Sequence, residues 1–191
     1  MIPTLAEIKL NLGIALQYMR FNSAQITPKT VTPGLFWKSF FAAVLCLPST
    51  IYISIAQPLE TPPTIDLFAL LLIDSLFYII SWVAYPVMMH LLLVLHKKEK
   101  QFGIFIVHYN WLQVWQSLIF FLLVILIQSH ILPDALASFL SLMSLLYILA
   151  AQAYMTKITL ETGWFSATAF VFFNIVLAQA ILALNQGMMY L

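Results

Sequence analysis

Residues 65–128, IDLFALLLIDSLFYIISWVAYPVMMHLLLVLHKKEKQFGIFIVHYNWLQVWQSLIFFLLVILIQ, decide the fold, because two long apolar runs flank the basic turn KKEKQ. A membrane-spanning helix needs about 20 mostly apolar residues, and both runs exceed that length. Since the turn is tight, the two helices must be antiparallel. The first run must tilt, bend or project from the membrane, and Pro86 marks the expected bend. These residues predict a transmembrane hairpin with over-long arms.

The rest of the chain is also predominantly apolar. It has 191 residues, of which 63% are hydrophobic and 8% are charged, whereas a soluble domain carries about 25% charged residues. The predicted spans cover approximately residues 36–56, 66–95, 102–128, 135–155 and 165–184. We therefore expect an all-α polytopic membrane helical bundle. Its five-helix transmembrane domain would occupy residues 35–191, after an N-terminal helix and linker over residues 1–34.

The positions of the basic residues predict the orientation. All of the Lys and Arg residues fall on one side of the five-span plan: Lys9, Arg20, Lys29, Lys38, Lys97, Lys98, Lys100 and Lys157. Cytoplasmic loops collect Lys and Arg, so the N-terminus is expected inside and the C-terminus outside. The net charge is only +1, which offers no electrostatic basis for binding nucleic acid.

Residues 4–22 are expected to form a helix before the first span. Thr4 and Glu7 have the spacing of a capping box. Apolar residues then recur on one helical face at Leu5, Ile8, Leu12, Leu16 and Met19. The pattern favours an amphipathic helix lying on the cytoplasmic leaflet. The alternative is a cytosolic helix packed beneath the bundle. The linker that follows, residues 23–34, is rich in turn-forming residues.

Polar side chains inside the predicted spans are candidates for function, because they are costly there. Asp74 lies eight residues inside its helix, and no Lys or Arg lies at that depth. It could belong to a proton- or cation-linked site, or it could join two helices by hydrogen bonds. Asn174 and Gln179 are its expected partners. The candidates in the membrane interior are Asp74, Tyr78, Asn110, Gln113, Asn174 and Gln179.

Three further candidates are expected near the inner interface. His90 and His108 lie nearly symmetrically about the hairpin turn, and Glu161 could approach from another loop. Two histidines could share a metal, but nothing completes a ligand set, and hydrogen bonds to backbone or headgroups explain them better. No metal or other cofactor is therefore expected.

Residues 108–117, HYNWLQVWQS, are polar on one helical face and aromatic on the other. Asn110, Gln113 and Ser117 share the polar face, which we expect to pack inside the bundle. The opposite face carries His108 and aromatic residues and is expected to meet lipid or headgroups. A polar vestibule open to the cytoplasm is the alternative explanation of the polar face.

Motifs of common enzyme classes are missing from the sequence. It contains no G-x-S-x-G, H-E-x-x-H, Walker or C-x-x-C motif, and no two acidic residues are spaced for paired acid–base work. The single cysteine, Cys46, can form no intrachain disulfide. These observations favour a protein that is not an enzyme.

The topology and one local run resemble the Yip1 family of five-span membrane proteins. Residues 96–115, HKKEKQFGIFIVHYNWLQVW, look like that family's basic turn followed by a third span that opens with polar and aromatic residues. Tyr109, Asn110 and Trp111 also match a Tyr-Asn-Trp run of uncharacterised alphaproteobacterial inner-membrane proteins. The resemblance implies a multi-pass protein of a bacterial inner membrane, and it defines no catalytic residue.

Three functions remain open at this point. The first is a non-enzymatic membrane-organising or accessory protein that binds lipid, partner membrane proteins or further copies of itself. The second is a small transporter or channel subunit centred on Asp74, which predicts that Asp74, Asn174 and Gln179 meet at a water-accessible cavity. The third is a lipid-modifying enzyme, which predicts His90, His108 and Glu161 within about 5 Å of one another. The first fits the sequence best.

Overall fold

The computed structural model describes residues 2–22, 31–56 and 66–189. Residues 23–30, which are most of the predicted linker, and residues 57–65, which follow the first predicted span, therefore lie outside the described residues. The structure is an all-α bundle, as predicted. In the described residues, five helical segments are long and apolar enough to cross a membrane. Its α-helices are α1 (Leu5–Met19), α2 (Pro33–Ser39), α3 (Phe41–Ala56), α4 (Leu67–Leu95), α5 (Phe102–Gln128), α6 (Asp134–Thr159) and α7 (Trp164–Met189).

The first span consists of α2 and α3 together. Thr32 caps α2, since its hydroxyl accepts a hydrogen bond from the Leu35 N–H, and Pro33 occupies the first turn, where a proline costs no hydrogen bond. The helix is interrupted at Phe40 and continues through Pro48. Pro48 lies inside α3, and the Ser49 and Thr50 hydroxyls both donate to the Cys46 carbonyl beside it (2.7 and 3.0 Å).

The hairpin of α4 and α5 is the longest feature of the molecule. α4 continues through Pro86 as one helix of 29 residues, about 43 Å at 1.5 Å per residue, and so exceeds a hydrocarbon core of about 30 Å. Lys97 turns the chain in the left-handed conformation (φ 56°), and a short 3₁₀-helix, Glu99–Gln101, leads into α5. Lys98 Nζ then donates to the Leu160 and Glu161 carbonyls (2.5 and 3.1 Å). This contact ties the hairpin turn to the turn between α6 and α7.

Close packing is concentrated toward the end of the bundle that carries these basic turns. The main buried cluster contains Tyr18, Met19, Tyr85, Met89, Leu93, Phe105, Ile106, Tyr109, Leu112, Ala151, Met155, Leu160 and Phe170. At the opposite end, the helices expose most of their large apolar side chains. α5 lies at the centre, since it contacts α1, α2, α3, α4 and α6.

The N-terminal helix α1 packs against the side of α5. The predicted capping box is present: the Thr4 N–H donates to Glu7 Oε2 (2.7 Å), and the Thr4 hydroxyl accepts from the Glu7 N–H (3.3 Å). Ala15 lies against Trp111, and the Trp115 indole donates to the Leu12 carbonyl (3.0 Å). The expectation that the aromatic face of α5 meets lipid or headgroups is therefore wrong, because α1 covers that face.

Candidate functional site

A cleft of about 340 Å³ opens between α3, α4, α5 and α7. A single face of α5 supplies Tyr109, Gln113, Gln116 and Phe120, because these positions recur at helical spacing. The exposed residues Thr50, Ser81 and Ala178 also line the cleft, so it is open to the surface of the bundle. Its remaining lining residues are Cys46, Tyr78, Trp82, Tyr85, Ser117, Asn174, Leu177 and Ile181.

A hydrogen-bonded chain crosses one wall of the cleft. Gln113 Nε2 donates to the Tyr109 hydroxyl (2.6 Å), and that hydroxyl donates to Asn174 Oδ1 (3.3 Å). The chain links α5 to α7. Tyr85 is buried beneath it, with its ring 4.4 Å from that of Tyr109. Side-chain amides and phenols thus hold one another in place within an otherwise apolar surrounding. Polar groups within a membrane need such internal hydrogen-bond partners, because no water is available there.

Two more lining residues are fixed by neighbouring helices. The Tyr78 hydroxyl donates to the Ala43 carbonyl (2.6 Å), and Ser117 is hydrogen-bonded to Ser49. Among the described residues, no Asp, Glu, Lys, Arg or His lines the cleft. Its polar groups are uncharged amides and hydroxyls, one thiol and the Trp82 indole N–H, which suit hydrogen bonding to a neutral molecule.

Gln116 is the unusual member of the lining. Its side chain is only 6% exposed, and its Nε2 has no hydrogen-bond partner among the described residues. Buried polar groups are nearly always paired, so this donor is an exception at the wall of the cleft. Gln116 was not among the predicted candidates, although its spacing of three residues from Gln113 places it beside the polar face.

Asp74 lies outside the cleft. Asn185 Nδ2 donates to Asp74 Oδ1 (3.1 Å), so the carboxyl group joins α4 to α7 near the end of the bundle opposite the basic turns. The expected partners were wrong. Asn174 lies eleven residues before Asn185, about 16 Å along the helix, and Gln179 is exposed. The periodicity of α4 could not show where α7 pairs with α4.

Asn110 also has a structural partner outside the cleft. It is completely buried, and its Nδ2 donates to the Ser39 hydroxyl (2.9 Å) at the end of α2. The polar face predicted for residues 108–117 is therefore divided. Asn110 contacts the first span, whereas Gln113 turns to the cleft.

The predicted inner-interface group is not assembled. His108 is buried, and its Nδ1 lies 2.7 Å from the Tyr18 hydroxyl of α1. His90 is exposed and places its ring edge against Phe102, while Glu161 is exposed in the turn after α6 with a left-handed backbone (φ 47°). Within the described ranges, no three His, Cys, Asp or Glu residues are grouped to hold a metal ion.

Tyr18 carries the interaction with His108 as a neutral group. Burial raises the pKa of the Tyr18 phenol well above its ordinary value, and the neighbouring Tyr154 adds to the effect. The phenol therefore keeps its proton and can donate it to Nδ1 when the imidazole is in the Nε2–H tautomer. This arrangement attaches α1 to α5.

The structure thus brings three of the predicted intramembrane candidates, Tyr78, Gln113 and Asn174, to one cleft and places Asp74, Asn110 and Gln179 elsewhere. Its chemistry is that of a neutral, aromatic and amide-lined recess within the span region. No family model, curated protein or solved structure matches the chain.

Proposed function

We propose that this chain is a non-enzymatic, Yip1-like membrane protein that acts as an accessory or membrane-organising subunit by holding a lipid in the cleft between α3, α4, α5 and α7. The observation that carries the proposal is the cleft itself. It is open to the bundle surface, and that surface faces the bilayer if the helices span it. Pockets of 300 Å³ or more with few polar groups are typical small-molecule sites. On the resemblance of residues 96–115, we place the protein in a bacterial inner membrane.

The position of Asp74 argues against a transport function. A proton- or cation-linked site needs its ionisable group at the water-accessible cavity, but Asp74 is bound to Asn185 and does not line the cleft. Among the described residues, the groups that line the cleft are neutral, so none of them supplies the ionisable group that a transport site needs. A joint between two helices therefore explains Asp74 better than a transport site does.

A lipid-modifying activity at the inner interface has less support. It requires a nucleophile, acid or base within reach of one substrate, whereas His108 bonds to Tyr18 and His90 lies on an exposed surface. Partner membrane proteins or a second copy could bind along the exposed outer halves of the helices, but the cleft offers the more specific surface.

The experiment is to purify the protein in a lipid nanodisc and to identify by mass spectrometry the lipids that remain bound after mild detergent washing. The wild type is expected to retain lipid in a stoichiometric amount. Gln113→Leu, which breaks the hydrogen bond to Tyr109, is expected to retain much less. Gln179→Leu is the matched control, because Gln179 is exposed on α7 and lies outside the cleft lining.

The same preparation separates accessory function from transport. Wild type and Asp74→Asn are reconstituted into vesicles, and proton and cation fluxes are measured. The accessory function predicts no flux that depends on Asp74. If no lipid is retained and Asp74→Asn abolishes a flux that the wild type supports, the proposal fails and a transporter replaces it.

A further inference from the structure

We infer that the cleft selects an uncharged lipid whose head carries a carbonyl or hydroxyl oxygen, and that Gln116 donates the hydrogen bond that recognises this oxygen. The inference rests on the proposed lipid-binding function and names the chemical class of the ligand. It follows from the inventory of donors, the charge of the lining and the depth of Gln116.

The donors of the cleft point to Gln116. Gln113 Nε2, the Tyr109 hydroxyl and the Tyr78 hydroxyl already donate to protein acceptors. Gln116 also lines the cleft, and its Nε2 is the one lining donor that is fully buried without an acceptor among the described residues. Since a neutral amide N–H₂ can only donate, the group that completes it must be an acceptor, and oxygen is the acceptor that a lipid head offers.

The lining also limits the charge of that head. An anionic phosphate needs Arg, Lys or clustered backbone N–H groups, and a cationic head needs a carboxylate to offset the cost of a charge in the bilayer interior. In the part of the chain that the structure describes, no charged residue lines the cleft. Trp82, Tyr85 and Phe120 instead provide aromatic walls suited to the hydrocarbon or ring portion of a neutral ligand.

The depth of Gln116 supports the same class of lipid. It lies fourteen residues inside α5 from Phe102, about 21 Å along the helix axis. Even if the inner end of the 27-residue α5 projects from a hydrocarbon core of about 30 Å by its full excess of roughly 10 Å, Gln116 lies more than about 10 Å below the interface. Phospholipid headgroups stay at the interface, whereas small uncharged heads can enter the bilayer interior at lower cost.

The test measures lipid binding by native mass spectrometry of the purified full chain. The probes are dioleoylglycerol, which has ester carbonyls and a hydroxyl, squalene, which is an oxygen-free hydrocarbon, and the anionic phosphatidylglycerol. The wild type is expected to bind dioleoylglycerol at least about tenfold more tightly than either of the others. Gln116→Leu, which removes the unpaired donor at similar size, is expected to weaken dioleoylglycerol binding about tenfold. The binding of squalene should not change. Gln179→Leu is again the control.

A second measurement uses the wild type alone, so it does not depend on the folding of a variant. A ligand that binds only the folded state raises the midpoint of thermal unfolding. Dioleoylglycerol is expected to raise it, and squalene at the same concentration is not. Equal binding of all three probes, or unchanged dioleoylglycerol affinity in Gln116→Leu, would overturn the inference while leaving lipid binding intact. If none of the three probes binds and nanodisc preparations retain no lipid, the proposed function fails as well.

Discussion

At the scale of single residues, the contact between Tyr18 and His108 shows how a buried polar pair holds an N-terminal helix. Both side chains are buried, and their hydroxyl and Nδ1 atoms lie 2.7 Å apart. Removing one partner leaves the other unpaired in a desolvated place, which costs about 1–3 kcal/mol. The hydrogen bond itself adds little net stability, whereas leaving either buried group unpaired would destabilise the bundle.

Tyr18→Phe tests this argument. The free energy of unfolding is expected to fall by about 1–3 kcal/mol, because His108 Nδ1 loses its partner while the aromatic ring remains. Reversible denaturation in detergent micelles measures the change. Tyr154→Phe is the control, since Tyr154 contacts Tyr18 through its ring and should change stability by less than about 0.5 kcal/mol. Equal losses in both variants would contradict the role of the hydrogen bond.

The contacts of Glu7 predict how the stability of the protein changes at acidic pH. Its carboxylate accepts from Lys38 Nζ (2.7 Å), and this hydrogen bond, with that from the Thr4 N–H, lowers the pKa of Glu7 from 4.5 to about 2. Because the folded pKa is below the unfolded one, this stabilisation is fully present above a pH of about 4.5 and is lost as the pH falls toward about 2. The contact ties the start of α1 to the first span.

Glu7→Gln should remove that pH dependence. The thermal midpoint of the wild type is expected to decline more steeply than that of the variant as the pH falls from about 5 to about 2, and the two curves should converge at the acid end. Glu99→Gln, at an exposed site, controls for the loss of one negative charge. Parallel curves for wild type and Glu7→Gln would show that the ion pair contributes nothing.

At the scale of elements, α1 depends on a close approach to α5. Ala15 is 1% exposed and belongs to a cluster with Trp111 and Val107, so there is no room for a larger side chain. Ala15→Leu is expected to cost about 1–3 kcal/mol through overpacking and to increase hydrogen exchange over residues 5–19. Ala6→Leu places the same side chain on the exposed face of α1 and should leave exchange unchanged. If the exchange is equal in the two variants, α1 is not held by this contact.

The same elements show which parts of the fold could be predicted. The spans and the capping box of α1 follow from local signals, namely apolar length and the spacing of Thr4 and Glu7, and these were predicted correctly. The partners of Asp74 and of the aromatic face of α5 depend on which helices meet. Periodicity assigns residues to a face of a helix but does not say what covers it. For that reason Asn185 and the packing of α1 against Trp111 were missed.

At the scale of the whole molecule, the bundle is packed tightly at one end and loosely at the other. α1 and the parts of α4, α5, α6 and α7 near the basic turns build the buried cluster, whereas only 6% of an 18-residue apolar stretch of α4 is buried. In water such an exposed apolar surface would promote association. In a bilayer it can contact lipid chains at no such cost. The cleft lies between the two regions, where a rigid wall of α5 meets helices that are free to contact lipid.

This asymmetry makes the orientation of the chain testable. The turn at 96–101 and the turn at 160–163 lie at one end, joined by Lys98, and the turn at 129–133 lies at the other. Because Lys97, Lys98, Lys100 and Lys157 all lie at the first end, the positive-inside rule predicts that this end is cytoplasmic. The two ends can be distinguished by single cysteines in a Cys46→Ala background.

Ser129→Cys and Lys100→Cys place one thiol on each side at exposed positions. A membrane-impermeant maleimide added to intact cells or spheroplasts is expected to label Ser129→Cys, because its turn faces outward. Lys100→Cys should react only after the membrane is permeabilised. The reverse pattern would mean that the basic turns face outward. Labelling of both sites in sealed cells would mean that α5 does not separate two compartments, and the cleft could not then be a lipid site within a membrane.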